Sequence, residues 1–153
     1  MKIIVPKNIV DSIFGAVEKA GVCEIKGALY AKYISSNCYE IEDVFISKNA
    51  GTSFFSNLII GFSYHRFEKN YFKKHNNDFK NHNYIGDWHS HPSFECIPSE
   101  YDVKEAFDEL RNSNANFLIQ LIVKNDGGKL IGNCFLYNDN ESHEKCSLVI
   151  ENE

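Results

Sequence analysis

The residues with the clearest capacity for chemistry lie between positions 86 and 102, in the stretch Gly-Asp-Trp-His-Ser-His-Pro-Ser-Phe-Glu-Cys-Ile-Pro-Ser-Glu-Tyr-Asp. His89 and His91 are two residues apart, and in an extended strand such residues point to the same side. Because Pro92 has no N–H to continue a central strand, the pattern predicts that the strand ends after the pair. We therefore expect both imidazoles at a sheet edge or strand terminus, presented to a substrate rather than buried.

A carboxylate follows at the head of a predicted helix. Asp102 lies eleven residues beyond His91, with Ser99 three residues before it. Two imidazoles and one carboxylate are a usual ligand set for a catalytic zinc, which keeps a fourth position open for water. A structural zinc would normally take four protein ligands including cysteines, and the chain has no CxxC and one nearby thiol, Cys96. The pattern favours an open site, although Ser-x-x-Asp at a helix start also resembles a capping arrangement.

The arrangement of His-x-His, seven residues and Ser-x-x-Asp resembles the motif of the JAMM (JAB1/MPN/Mov34) metalloprotease family. The match is carried by His89, His91, Ser99 and Asp102. The family also uses an upstream glutamate in a pattern like Glu-x-x-Gly-x-Leu, and Glu24-Ile-Lys-Gly-Ala-Leu29 is similar to it. The resemblance spans residues 5–137 and is strongest to the small prokaryotic JAB-domain branch.

The resemblance implies a role for each matching residue. His89, His91 and Asp102 would hold one Zn²⁺ per chain, and the reaction would be hydrolysis of an amide. Glu24 would be the general base and then the general acid toward the leaving amine. Ser99 would donate a hydrogen bond to the oxyanion of the tetrahedral intermediate.

Asp87 falls on the same strand face as the two histidines. We expect it either to hydrogen-bond a ligand imidazole, as carboxylates behind metal ligands do, or to be a solvated turn residue. Trp88 points to the opposite face and is predicted to lie in the core, whereas Cys96 is predicted to be an incidental loop cysteine. The other histidines lack ligand spacing and are predicted to lie on the surface. They are His65, His75, His82 and His143.

Family members with the full ligand set are zinc isopeptidases that release ubiquitin or ubiquitin-like proteins from lysine side chains, or trim such proteins at their C-termini. Compact prokaryotic relatives occur beside ubiquitin-activation-like enzymes, including in CBASS and related anti-phage systems. The resemblance thus implies as partners a ubiquitin-like protein or its conjugate, with an E1- or E2-like enzyme and its target. Two alternatives stay open: a metal-free MPN scaffold, and a JAMM peptidase for phage-tail, cell-wall or sulfur-carrier substrates.

Other chemistries fit the sequence less well. A zinc nucleobase deaminase needs His-x-Glu and a later Pro-Cys-x-x-Cys, which the chain lacks. A cysteine protease built on Cys96 would leave the spacing of Ser99 and Asp102 unexplained. The formal net charge of −5 argues against non-specific nucleic-acid binding.

Length and composition predict one domain, residues 1–153, in a cytoplasmic protein that contacts no membrane. The chain has 153 residues, and its five cysteines form an odd set without finger-like spacing, which is typical of reduced thiols. No apolar run approaches the ~20 residues of a membrane span, and residues 2–5 lead directly into Pro6 without the pattern of a signal peptide.

Periodicity predicts an α/β or α+β domain built on a mixed sheet, and the family's fold, a curved mixed sheet flanked by helices, agrees. The predicted elements are strand 2–5, helix 6–20, strands 22–34 and 39–47, loop 48–56, helix 57–75, exposed loop 73–83, strand 84–90, helix 99–112, strands 117–124 and 130–137, and an edge strand within 145–150. Only one helix and a turn fit between Asp102 and Phe117. We therefore expect the substrate to contact loop 47–56, loop 73–83 or the sheet edge, where an extended tail could add as a strand.

Overall fold

The computed structural model describes residues 1–47 and 54–153. In this part of the chain three helices accompany one sheet of eight strands, which confirms the predicted mixed α/β fold. The strands are β1 (Lys2–Val5), β2 (Lys26–Ser35), β3 (Cys38–Val44), β4 (His82–Ser90), β5 (Phe117–Asp126), β6 (Lys129–Asn138), β7 (His143–Lys145) and β8 (Ser147–Ile150). The helices are α1 (Lys7–Ala20), α2 (Phe54–Lys74) and α3 (Glu100–Ser113).

The sheet is curved and nearly closed. Its strand order is β7-β6-β5-β4-β2-β3-β1-β8, so the last two strands of the chain lie at opposite ends of the order. Cys146, the single residue between them, donates its amide to the Cys134 carbonyl at 2.8 Å, and the Ser147 amide donates to the Met1 carbonyl at 2.9 Å. The predicted edge strand within 145–150 is confirmed by β8, which stands beside β1 at one end of the order. The sequence did not predict β7, the second short strand, which curvature of the sheet brings within reach of the same segment.

Strand β4 lies in the interior of the sheet. It pairs antiparallel with β2 and parallel with β5. Of the two positions that the sequence allowed for the histidines, a sheet edge or a strand terminus, the structure has the strand terminus. Parallel neighbours need a crossover connection, and α3 provides it. The crossover brings the start of α3 to the carboxyl end of β4.

Helix α1 covers one side of the sheet with the apolar face that its periodicity predicted. Its buried side chains are Ile9, Val10, Ile13, Ala16 and Val17. The helix ends at Gly21, whose φ of 61° is easily adopted by a residue without a Cβ and whose amide donates to the carbonyls of Val17 and Glu18. Strand β2 begins only at Lys26, four residues later than predicted, which leaves Glu24 in the connecting segment.

Two glycines permit close packing around β4. A Cβ on Gly27 would lie 1.7 Å from the Phe45 carbonyl oxygen and 2.7 Å from the Trp88 indole nitrogen. A Cβ on Gly86, whose φ is 145°, would lie 1.9 Å from the Ile119 carbonyl oxygen. The glycine of the Glu-x-x-Gly pattern is thus required by sterics, and Trp88 is fully buried as predicted.

Helix α2 packs against the sheet through an aromatic cluster centred on Tyr30 of β2, which contacts the rings of Phe67, Tyr71 and Phe72. The helix begins at Phe54, inside the segment predicted as loop 48–56, and positions 48–53 lie outside the described residues. The predicted exposed loop 73–83 is shorter than expected, since α2 extends to Lys74 and β4 begins at His82. Across the described residues, the helices are too short or too polar to cross a membrane.

Candidate metal centre

Three side chains that sequence spacing selected as metal ligands converge at the carboxyl end of β4. The Nε2 atoms of His89 and His91 are 3.0 Å apart, and carboxylate oxygens of Asp102 lie 3.6 Å and 3.7 Å from them. Tetrahedral zinc with Zn–N bonds of about 2.0–2.1 Å separates its ligand atoms by roughly 3.3 Å. The three separations bracket that value, so the donor set fits a divalent metal of the zinc type.

The histidines are less exposed than the sequence suggested. The side chains of His89 and His91 are 12% and 8% exposed, because the segment after Pro92 folds back over the end of the strand. Within that segment, the Glu95 carbonyl lies 2.8 Å from Nδ1 of His91. Nδ1 therefore carries the hydrogen and donates to that carbonyl, which orients the ring and leaves Nε2 as the nitrogen available to a metal.

Asp102 is oriented by the N-terminus of α3. The amide and the hydroxyl of Ser99 both donate to Oδ2 of Asp102, at 2.8 Å and 2.7 Å. In return the Ser99 hydroxyl accepts from the Asp102 amide at 3.2 Å. This capping box, one of the two roles that the sequence allowed for Ser99, holds Oδ1 on the side of His89.

Burial and neighbouring charges prepare the donors for a metal at neutral pH. Burial lowers the pKa of His89 to about 4, against the attraction of Asp102, so its ring is neutral at pH 7. For Asp102 burial is the largest influence and favours the neutral acid. The hydrogen bonds from Ser99 and the two imidazoles outweigh it, and the pKa of Asp102 lies below its ordinary value. Neutral imidazole and ionised carboxylate are the forms that bind metals.

Glu24 is anchored beside the histidine strand although it precedes β2. The next residue, Ile25, donates its amide to the Ser90 hydroxyl at 3.0 Å, and its carbonyl accepts the Ser90 amide at 2.9 Å. Since Ser90 stands between His89 and His91, this pair of hydrogen bonds ties the Glu24 segment to the metal centre. The exposed Glu24 side chain lines the same cleft of about 960 Å³ as His89 and Asp102.

Asp87 also lines this cleft, with a different partner from the one expected. Its Oδ1 accepts a hydrogen bond from the Tyr84 hydroxyl at 3.2 Å, and the described contacts include none between Asp87 and an imidazole. The side chain is exposed to the cleft, whose walls displace part of the water around the carboxylate. Burial, reinforced by the negative charges of Glu109 and Glu105, raises the pKa of Asp87 to about 6.

Sequence reasoning misjudged two histidines and missed one supporting residue. His75 and His82 were predicted to lie on the surface, but both are largely buried beside Glu42, whereas His65 and His143 are exposed as predicted. Ser90 was overlooked, although its position between two ligand candidates was a signal. Its hydroxyl is completely buried.

Cys96 is a core residue. Its side chain packs with Leu110, Leu118 and Phe135 in the cluster beneath α3, and burial raises the pKa of its thiol. A buried protonated thiol is a poor nucleophile and a poor metal ligand. The structure therefore agrees with a packing role for this cysteine.

A nearly closed mixed sheet with paired histidines at the carboxyl end of an interior strand, and an aspartate at the start of the crossover helix, defines a JAB1/MPN-type domain. The family model for prokaryotic homologues of the JAB domain matches residues 6–136. The chain therefore belongs to this prokaryotic JAB family, which is part of the larger JAB/MPN group that includes the JAMM metallopeptidases. A search of curated proteins gave no match.

Solved structures from three prokaryotes share the fold. A solution structure of a protein from Desulfitobacterium hafniense has a TM-score of 0.64 at 18% identity, covering 99% of this chain and 94% of that one. A crystal structure of a JAB1/MPN domain protein from Archaeoglobus fulgidus has a TM-score of 0.51 at 17% identity, covering 97% and 99%. A solution structure of a protein from Salinibacter ruber has a TM-score of 0.57 at 15% identity, covering 99% and 92%.

Proposed function

We propose that this protein is a zinc-dependent peptidase of the JAMM type that hydrolyses the amide bond following the C-terminus of a ubiquitin-like protein. The observation that carries the proposal is the convergence of three metal donors, His89, His91 and Asp102, beside a cleft that His89, Asp102 and Glu24 line. A metal-free scaffold would need neither the donor convergence nor a carboxylate beside it.

In this proposal each side chain has one task. Zinc held by the three donors would supply a Lewis acid, which lowers the pKa of water far below its ordinary value, to roughly 7. Glu24 accepts a proton from the attacking water and delivers it to the nitrogen of the leaving amine as the C–N bond breaks. The exposed carboxylate of Glu24 is suited to this proton transfer because its oxygens accept no hydrogen bond from the described residues.

Ser99 must change its hydrogen bond to serve as an oxyanion donor. Its hydroxyl hydrogen points to Oδ2 of Asp102 in the resting arrangement. The backbone amide of Ser99 also donates to that oxygen, so Asp102 keeps a partner when the hydroxyl rotates toward the substrate. Loss of one such donor typically lowers the rate by ~10²–10³.

The charge of the cleft favours a basic peptide. Six carboxylates and one ammonium group, that of Lys26, are among the described residues that line it. The carboxylates belong to Glu24, Asp87, Asp102, Glu105, Asp108 and Glu109. An extended C-terminal tail with an arginine or lysine near the scissile bond would match this field. Its partners would be a ubiquitin-like protein or its conjugate, supplied by an E1- or E2-like enzyme in a conjugation or anti-phage system.

The test combines metal analysis with turnover of a ubiquitin-like protein joined through its C-terminal glycine to a fluorogenic amine. We expect wild-type protein to release the amine, and the His89→Ala/His91→Ala variant to bind one zinc equivalent fewer and to be inactive. Glu24→Gln should keep its zinc and lose ~10²–10⁴ in kcat, as expected for removal of a general acid–base group. Glu18→Gln, an exposed glutamate on α1, is the matched control and should behave as wild type.

Each contrary result has a distinct meaning. Equal zinc content in wild type and the double histidine variant would contradict the metal centre and favour a scaffold that binds partners. Zinc that depends on His89 and His91, combined with cleavage of other peptides but not of the fusion, would leave the chemistry standing and overturn the ubiquitin-like substrate. Basic peptides derived from tail, cell-wall or sulfur-carrier proteins are the corresponding alternatives to assay.

A further inference from the structure

A second group of metal-binding side chains lies away from the candidate metal centre, where α2 ends against the sheet. Glu42 on β3, His75 just after α2 and His82 at the start of β4 each place a donor atom within 4.8 Å of the other two. Oε2 of Glu42 is 2.7 Å from Nδ1 of His82 and 3.8 Å from Nε2 of His75. These two separations lie on either side of the roughly 3.3 Å expected between ligands of tetrahedral zinc.

One nitrogen of this group makes no hydrogen bond among the described residues. Nε2 of His75 is shielded from solvent and has no hydrogen-bond partner among the described residues. A buried nitrogen without a hydrogen-bond partner destabilises the folded state, so its retention calls for an explanation. Burial also lowers the pKa of His75, against the opposing charge of Glu42, which keeps the ring neutral and able to bind a metal.

We propose that Glu42, His75 and His82 form a second site for a divalent transition metal, with zinc as the expected ion. Two imidazoles and one carboxylate are donors that zinc accepts, and Co²⁺ and Ni²⁺ bind the same types. The side chains are 17%, 15% and 20% exposed. The group is therefore enclosed enough to be ordered and open enough for an ion and a water ligand to enter.

The surrounding contacts keep the three side chains together. The rings of His75 and His82 stack with centroids 4.1 Å apart and planes 18° from parallel. Because a metal lies in the plane of each imidazole that binds it, the two rings would tilt apart to share one ion. The Tyr71 hydroxyl donates to Oε2 of Glu42 at 2.9 Å and orients the carboxylate, as hydrogen-bonding partners of metal ligands do. Binding would replace the contact between Glu42 and His82, and the His82 ring would take the tautomer that carries its hydrogen on Nε2 and leaves Nδ1 free for the metal.

The site would join the end of α2 to β3 and β4. Helix α2 also forms part of the cleft wall, because Tyr64 lines the cleft that contains Glu24 and His89. A metal at its C-terminal end would thus fix a wall of the cleft without touching the candidate catalytic residues. We assign it a structural role that does not depend on the proposed peptidase activity.

The experiment uses the His89→Ala/His91→Ala variant, in which the first centre is removed. After chelator treatment, zinc and Co²⁺ titrations should show one bound equivalent per chain, with visible Co²⁺ absorption bands typical of a tetrahedral site. Wild type should bind two. Adding His75→Gln and His82→Gln should abolish the remaining equivalent, whereas adding His65→Gln, an exposed histidine on α2, should leave it unchanged.

A second readout guards against misfolded variants. Glu42→Gln preserves shape and should weaken the second equivalent at least tenfold while circular dichroism stays unchanged. In the His89→Ala/His91→Ala variant, added zinc should slow the hydrogen exchange of amides at the C-terminal end of α2. Two results would overturn the second site. One is a folded His89→Ala/His91→Ala variant that binds no zinc. The other is a version of that variant that still binds zinc after Glu42, His75 and His82 are also substituted. Neither result depends on any substrate being cleaved.

Discussion

His89 and Asp87 stand two residues apart on one strand, and the same cleft shifts their protonation in opposite directions. Burial disfavours a charge on either group, lowering the pKa of His89 to about 4 and raising that of Asp87 to about 6. Local spacing was enough to predict that His89, His91 and Asp102 would meet, because strand geometry and a short loop determine where they lie. The Glu42, His75 and His82 group could not be predicted, since three separate elements contribute to it.

The shifted pKa of His89 makes the stability of the metal-free protein depend on pH. The folded ring stays neutral down to about pH 4, whereas an unfolded histidine takes up a proton below about pH 6.5. His89 therefore makes the unfolded state bind more protons between these values, and its own contribution to stability falls as pH drops through this window, by up to about 3 kcal/mol at the lower end. Asp87 contributes in the opposite direction, because its folded pKa of about 6 lies above that of an unfolded aspartate. Asp102, whose pKa is lower in the folded than in the unfolded state, lowers the stability further only when the pH falls below the ordinary pKa of an aspartate.

Urea unfolding of chelator-treated protein at pH 7.0, 6.0 and 5.0 measures this effect. We expect the unfolding free energy of His89→Asn to fall less, or to rise more, than that of wild type between pH 7.0 and 5.0, because the variant loses the proton uptake of unfolded His89 and keeps the opposing contribution of Asp87. His65→Asn, which removes an exposed histidine, should leave the wild-type slope unchanged. Equal slopes for wild type and His89→Asn would show that His89 is not the group whose pKa is depressed.

At the scale of the elements, periodicity identified every helix and the main strands, while their ends depended on tertiary contacts. Strand β2 starts at Lys26 because the turn after Gly21 and the hydrogen bonds between Ile25 and Ser90 hold the preceding segment outside the strand. Helix α3 was placed within one residue, because Ser99 and Asp102 encode its start directly. Its N-terminus therefore combines helix capping with orientation of a candidate metal ligand.

Ser99→Ala tests this combination. The substitution removes the acceptor for the Asp102 amide and one donor to Oδ2 of Asp102, and loss of an N-cap side chain costs about 1 kcal/mol. We expect that decrease in unfolding free energy for metal-free protein, together with weaker zinc binding, because the carboxylate loses one of two anchoring hydrogen bonds.

Ser12→Ala is the matched control for this measurement. Its hydroxyl donates to the Asn8 carbonyl on the exposed side of α1, so the change should stay within about 0.5 kcal/mol. If Ser99→Ala and Ser12→Ala had equal effects on both stability and zinc affinity, the capping box would not contribute to the orientation of Asp102.

For the whole molecule, closure of the sheet was the feature that the sequence did not disclose. Strand β8 pairs in parallel with β1, a long-range contact that joins the two ends of the chain and has no local sequence signature. Beyond β8, Asn152 reaches across to β6. Its Oδ1 accepts the Leu130 amide and its Nδ2 donates to the Leu130 carbonyl, each at 3.1 Å. One side chain thus links the two ends of the curved sheet.

Asn152→Ala should loosen this closure without altering the metal centre. Each lost hydrogen bond contributes about 0.5–1.5 kcal/mol, so we expect unfolding free energy to fall by about 1–2 kcal/mol. The Leu130 amide should exchange faster with solvent, whereas amides in β4 should keep their protection because β2 and β5 cover both edges of that strand. Asn140→Ala, at an exposed turn, should change neither quantity. Unchanged exchange at Leu130 would mean that strand pairing alone closes the sheet, and faster exchange throughout β4 would mean that the site depends on closure.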